Sequence, residues 1–263
     1  MFKRWHQSKG QSGDRRPFDR ETDDLEKDLR DKNIKDSTSK GVETGDRAVK
    51  VQAGSVQLEG MLNVPQGAES LIVFVHGSGS SRHSPRNQFI AKELQQAGLA
   101  TLLFDLLTAK EEEIDRYTRH LRFDIDLLAQ RVIGAADWLG EQPPTGRLKL
   151  GLFGASTGAA AALTAAAERT GKVGAVVSRG GRPDLAFKSL PQVEAPTLLI
   201  VGELDMQVIP LNERALANMN AGLEKQLVIV PGASHLFKEP GTLEQVARLA
   251  RDWFTQHLAN RPA

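Results

Sequence analysis

Ser156 stands at the centre of Gly154-Ala155-Ser156-Thr157-Gly158, which reads G-x-S-x-G. The apolar run Leu150, Gly151, Leu152, Phe153 leads into it, and an alanine-rich segment without proline follows. Strand, sharp turn and helix in that order would lift a serine hydroxyl above a sheet edge, as a nucleophile elbow does. The chemistry needs both glycines, because so tight a turn presses backbone against backbone where a side chain has no room. The amides that open the helix face the same space, where a developing negative oxygen would be stabilised. Over five residues alone, a Gly-rich turn in any doubly wound protein reads the same way, so the weight lies in what accompanies it.

Two further polar residues follow predicted strands. Asp205 comes after residues 197–201, in Gly202-Glu203-Leu204-Asp205. His235 comes after residues 226–230, in Pro231-Gly232-Ala233-Ser234-His235. Ligands of open α/β sheets bind beyond the carboxyl ends of the strands, where all three residues would lie. Ser156 is a weak nucleophile until a base takes its proton. His235 is the side chain suited to take that proton near neutral pH and return it. Asp205 would fix the imidazole tautomer and stabilise the imidazolium. Glu203 is nearer the strand end and is the rival for the acid. The attacked carbonyl needs oxyanion donors: the Thr157 amide and, from His76-Gly77-Ser78-Gly79, the Ser78 amide. His76 reads as a structural residue that holds this loop.

Arg179 and Arg182 fall on a short loop after residues 173–177, and His83 and Arg86 follow the oxyanion loop. These four are the candidate substrate-binding residues, since arginine forks suit carboxylates and phosphates. The competing reading pairs the two loop arginines with Asp184, Asp124 or Asp126, so that they only fasten the loop. Arg122 reads as a structural ion-pair partner. No histidine and carboxylate cluster has metal-ligand spacing, so neither a metal nor a cofactor is expected.

The elements that must carry these residues follow from periodicity. Residues 1–47 are polar and dense in charge of both signs, with too few apolar residues to bury, and are expected to form a disordered tail. Residues 48–263 form the expected domain. Val49 and Val51, then Val56 and Leu58, alternate with polar residues around Ala53-Gly54-Ser55, which predicts an antiparallel hairpin. Residues 71–75 and 99–104 are continuous apolar runs, suited to strands covered on both faces. Residues 86–97 have helical spacing, and residues 111–139 read as one long helix or two joined ones. Four more strands are expected over 148–153, 173–177, 197–201 and 226–230. Helices are expected over 210–219 and in a last segment reaching Leu258. This alternation predicts an α/β fold, a mostly parallel sheet of about eight strands with helices on both faces. The stretch between Val177 and Thr197 is too short for a large lid.

Composition excludes several classes. There are 34 basic and 33 acidic residues, a net charge of +1, which gives no electrostatic case for nucleic acid or membrane as partner. With no cysteine, a disulfide framework, a thiolate nucleophile and a cysteine-ligated metal are impossible. No apolar leader or long apolar run is visible, so a cytoplasmic protein with a small-molecule partner is expected.

Residues 48–258 resemble the α/β-hydrolase superfamily, and within it the dienelactone hydrolase-like branch. Segments 76–87 (HGSGSSRHSPRN), 118–127 (TRHLRFDIDL), 178–185 (SRGGRPDL) and 230–241 (VPGASHLFKEPG) are similar to small bacterial hydrolase domains that occur alone or fused to a phosphoribosyltransferase. The segment before Ala48 lies outside the resemblance and is too short for a phosphoribosyltransferase domain. The resemblance implies the α/β-hydrolase fold and cofactor-free hydrolysis of an ester or lactone through an acyl-enzyme. Dienelactone hydrolases carry a cysteine where this chain has Ser156. The leading expectation is therefore a serine hydrolase for a small soluble ester, lactone or thioester, with an anionic substrate favoured by the arginines. An acyltransferase of the same fold and a non-catalytic binding protein are the alternatives.

Overall fold

The computed structural model describes residues 45–259. The expected tail, as far as residue 44, lies outside the described residues. β1 (Arg47–Ala53) and β2 (Val56–Asn63) pair as the antiparallel hairpin that their alternation predicts. β3 (Ser70–Val75) and β4 (Ala100–Phe104) are buried at every position. β5 (Lys149–Ala155), β6 (Val173–Arg179), β7 (Thr197–Gly202) and β8 (Lys225–Val230) complete one eight-stranded sheet in the order β1-β2-β4-β3-β5-β6-β7-β8. The two pairings that involve β2 are antiparallel and all others are parallel. A parallel sheet needs cover on both faces, which explains why its central strands are apolar without alternation.

Side-chain parity divides that cover into two layers. Val73 and Leu152 point to one face, with α3 (Ile125–Glu141), α4 (Thr157–Glu168) and α5 (Ile209–Asn218). Ile72, Phe74 and Phe153 point to the other, with α1 (Pro85–Gln96) and α6 (Thr242–Leu258). On that second face the Phe74 and Phe153 rings meet with centroids 4.9 Å apart. Between β6 and β7 the chain makes only two short 3-10 turns, Pro183–Ala186 and Leu190–Gln192, so no large lid is inserted.

The segment expected as one long helix or two is divided. α2 (Ala109–Thr118) opens on a capping box between Thr108 and Glu111 and ends at Arg119, which takes a left-handed φ of 55°. A 3-10 turn (Leu121–Phe123) then leads to α3. The cause is Asp115, fully buried at the end of α2. Its carboxylate accepts from the Leu121 amide at 2.7 Å and from Arg122 Nε at 2.5 Å, which folds the chain back around it. Arg122 thus makes the expected ion pair, from the turn rather than from the long helix.

α4 is buried from Thr157 to Ala166, and its alanines let it lie close to β5 and α3. The entry into α4 is the tightest point. A Cβ on Gly158 would overlap the carbonyl oxygens of Val75 and His76, and one on Gly154 would overlap Ala159 Cα. These neighbours are backbone atoms and cannot rotate away. Gly158→Ala is therefore expected to lower the urea unfolding free energy by about 1–3 kcal/mol or more. Gly140→Ala, in α3 with open space around it, should instead raise it by up to about 1 kcal/mol.

Candidate active site

Ser156 joins β5 to α4 with φ 51° and ψ −122°, a conformation that L-residues rarely adopt. Such strain costs about 1–3 kcal/mol and persists only where the surroundings impose it. Here the next strand imposes it. The Ser156 amide donates to Arg179 O at 3.2 Å, and Ser156 O accepts from Arg182 N at 3.0 Å and Ala159 N at 3.1 Å. From the other side Gly77 lies so close that an added Cβ would be 2.9 Å from Ser156 Cβ. Ser156 itself is half-buried.

His235 and Asp205 meet directly. Nδ1 of His235 is 2.6 Å from Asp205 Oδ2, with side chains 14% and 8% exposed. A carboxylate on Nδ1 fixes the proton there and leaves Nε2 as the basic nitrogen. Glu203 does other work: its Oε2 accepts from the Gly232 amide at 2.7 Å and closes the turn after β8. The loop that carries His235 is tied down at both ends. Leu204 N donates to Ala233 O at 2.9 Å, Ser234 N donates to Glu239 Oε2 at 2.9 Å, and Phe237 buries its ring in the α1/α6 layer. The Glu239 and Phe237 anchors carried no readable signal, because each depends on a partner reached only through the fold. Residues 179–182 touch both halves of the site. They bond to Ser156 as above, and a Cβ on Gly180 would be 3.4 Å from His235 Nδ1 and Cε1.

The loop after β3 is braced by His76. Its Nε2 accepts from Leu106 N at 3.1 Å, so the proton lies on Nδ1, 2.9 Å from Gly77 O. Burial pushes its pKa below the ordinary histidine value, which keeps the ring neutral. Ser78 lies next to the elbow as expected, but its amide donates to Thr157 Oγ1 at 2.9 Å. A small recess, lined in part by Ser78, Gly79, Leu107, Arg122 and Leu128, opens beside this loop.

The four candidate substrate-binding residues separate. Arg182 is spent on Asp184 through two bonds of 2.8 Å, Nε to Oδ1 and Nη2 to Oδ2. Asp124 caps α3 at the Leu127 amide. Arg179 follows Ser178 and by parity points to the α1/α6 face. It is 7% exposed, and its guanidinium has no hydrogen-bond or ion-pair partner among the described residues. Burial, with the like charge of Arg86 added, pushes its pKa down to about 9, so it still carries its charge at neutral pH. Arg86 is buried in the first turn of α1, behind the N-cap Ser84. His83 is exposed on the turn before that cap.

Among the described residues no group of three His, Cys, Asp or Glu side chains could hold a metal ion, and no helix is long and apolar enough to cross a membrane.

Comparison with known proteins agrees with this architecture. A putative phosphoribosyl transferase of Mycobacterium tuberculosis is 58% identical over 213 residues, which are 81% of this chain and 47% of that protein. The chain thus spans about half the length of the curated relatives it matches. The crystal structure of a dienelactone hydrolase from Anabaena variabilis is 61% identical, with a TM-score of 0.80 over 82% of this chain and 99% of that one. Est1E from Butyrivibrio proteoclasticus shares the fold at 14% identity, with a TM-score of 0.68 over 81% of this chain and 99% of that one. Residues 58–258 match the dienelactone hydrolase family, and the chain belongs to that family.

Proposed function

We propose that this chain is a serine hydrolase that cleaves a small soluble carboxylic ester, lactone or thioester through an acyl-enzyme. The observation that carries the reading is the 2.6 Å contact of His235 with Asp205, linked through residues 179–182 to a serine held at φ 51°. In the proposed reaction His235 Nε2 takes the Ser156 proton as Oγ attacks the carbonyl carbon. Asp205 stabilises the imidazolium that forms. The tetrahedral oxyanion lies at the start of α4, where the Thr157 amide has no intrahelical partner. Collapse expels the alcohol or thiol, which leaves with the proton from His235. Water then repeats the sequence on the acyl-enzyme and frees Ser156. The short connection between β6 and β7 leaves no large lid over the site, which suits a small substrate reached from solvent.

Substrate charge follows from the separation of the arginines. A buried guanidinium with no acid partner is costly unless an anion sometimes meets it. Arg179, with Arg86 near it, is therefore proposed to receive a carboxylate or phosphate carried away from the scissile bond. Arg182, already neutralised by Asp184, holds the loop, and His83 is left to contact the outer part of a longer substrate.

Three measurements test this reading. A fluorophosphonate should label the protein once, at Ser156, and Ser156→Ala should abolish the label without loss of fold; labelling at another residue would sink the nucleophile assignment, and none in wild type would favour a binding protein. Asp205→Asn should lower kcat by about 10³–10⁴-fold, because the imidazole loses its orienting partner. Glu203→Gln, which only loosens a turn, should stay within a few fold. On matched anionic and neutral esters, Arg179→Met should lower the ratio of kcat/KM by at least about tenfold, or 1.4 kcal/mol. The same substitution removes a buried unpaired charge, so its melting temperature should equal or exceed that of wild type. Arg182→Met should leave the ratio unchanged.

A further inference from the structure

The Thr157 side chain has a hydroxyl proton that no acceptor among the described residues takes. Oγ1 accepts the Ser78 amide at 2.9 Å. The residue is 4% exposed, and among the described residues its hydroxyl donates to nothing. A threonine inside a helix commonly returns its hydroxyl proton to the carbonyl four residues back. Thr157 is the first residue of α4, and four residues back lies Phe153 in β5. No helical carbonyl stands there to take it. The hydroxyl is also oriented by what it accepts. With one lone pair committed to Ser78 N–H, its rotation is restricted and its O–H is polarised into a better donor.

The Ser78 amide, for its part, carries a single proton, and that proton is already directed at Thr157. A direct bond from this amide to an oxyanion would require it to leave an acceptor within hydrogen-bond distance. A relay avoids that loss. We infer that the Thr157 hydroxyl, held by the Ser78 amide, is itself an oxyanion donor, so that Thr157 supplies two donors, its amide and its hydroxyl. Ser78 is then a positioning residue that acts through Thr157. The inference rests on the serine hydrolase reading above.

The step balances without proton transfer from Thr157. The Ser156 Oγ–carbon bond forms as the carbonyl π pair moves onto oxygen, and the serine proton goes to His235. The oxyanion accepts hydrogen bonds from Thr157 N–H and O–H. When the π pair returns, both bonds weaken and the leaving group departs with the proton from His235. Both donors strengthen only as charge develops, so their loss should appear in kcat rather than in KM.

The test is turnover of p-nitrophenyl acetate by Thr157→Val, Thr157→Ala and Thr157→Ser. Valine keeps the branched shape and removes the hydroxyl. Its kcat is expected to fall about 10²-fold or more, as for loss of one oxyanion donor, with KM within about twofold. Serine restores the hydroxyl and should recover most of the loss. Alanine, smaller than valine, should match it, and it serves in valine's place should that variant fail to fold. Affinity for a trifluoromethyl ketone, whose adduct carries the oxyanion, should fall in parallel with kcat/KM. Undiminished kcat in both Thr157→Val and Thr157→Ala, with Ser156 still labelled by fluorophosphonate, would overturn this inference alone. A rise in kcat would also overturn it, by showing that the hydroxyl occupies space the oxyanion needs. Absence of both label and turnover in wild type would overturn the hydrolase reading and this inference with it.

Discussion

The close approach of Gly158 to the carbonyl oxygens of Val75 and His76 governs the geometry of the active edge. Because α4 starts in contact with the end of β3, the chain between β5 and α4 has no room for an ordinary turn. Ser156 takes the left-handed φ that remains. The same contact sets Gly77 against Ser156 Cβ and delivers the Ser78 amide to Thr157 Oγ1. Three backbone hydrogen bonds to Ser156, each worth about 1 kcal/mol net, are enough to offset the local strain. Ser156 is thus held by the packing of two parallel strands and one helix rather than by its own loop.

The second constraint is the segment that follows β6. Residues 179–182 bond to Ser156 on one side and meet the His235 ring on the other through Gly180. Asp205 and His235 come from loops after β7 and β8, and these loops are tied to each other through Leu204 N and Ala233 O. Elements distant in sequence are therefore registered by backbone contacts, and side-chain geometry follows. That arrangement suits a reaction in which a misplacement of about 1 Å is costly.

The sheet, its parallel character and the position of Ser156, Asp205 and His235 after strand ends were legible in the sequence. Buried parallel strands advertise themselves as unbroken apolar runs, and a polar residue just past such a run is conspicuous. What was not legible depends on partners distant in sequence. Nothing local separates Arg179 from Arg182; strand parity sends Arg179 inward, while Asp184 reaches Arg182. Glu203 and Asp205 are equally acidic two residues apart, and the Gly232 amide occupies the first while His235 occupies the second. The division of the segment after β4 turns on Asp115, whose burial and embrace of Arg122 no periodicity announces. The direction of the Ser78 amide likewise depends on a residue far along the chain.

The energetic costs of this molecule are unevenly placed. Around the hairpin of β1 and β2, apolar positions and pairing agree. At the carboxyl edge three unfavourable features adjoin in space: the φ of Ser156 and, with no hydrogen-bond partner among the described residues, the Arg179 guanidinium and the fully buried Ser178 hydroxyl. Among the described residues, buried polar atoms without a partner also occur away from this edge, at Arg131 Nε and Arg169 Nε. What distinguishes the edge is that two such groups adjoin a residue of strained φ, and strain of that kind persists only where the surrounding structure imposes it. Ser178 and Arg179 are consecutive and face opposite layers, so no single rearrangement relieves both. Under the proposed function, an anionic substrate group at Arg179 would relieve one of them only while bound. On that proposal the free state is the strained one, and binding rather than folding satisfies the edge.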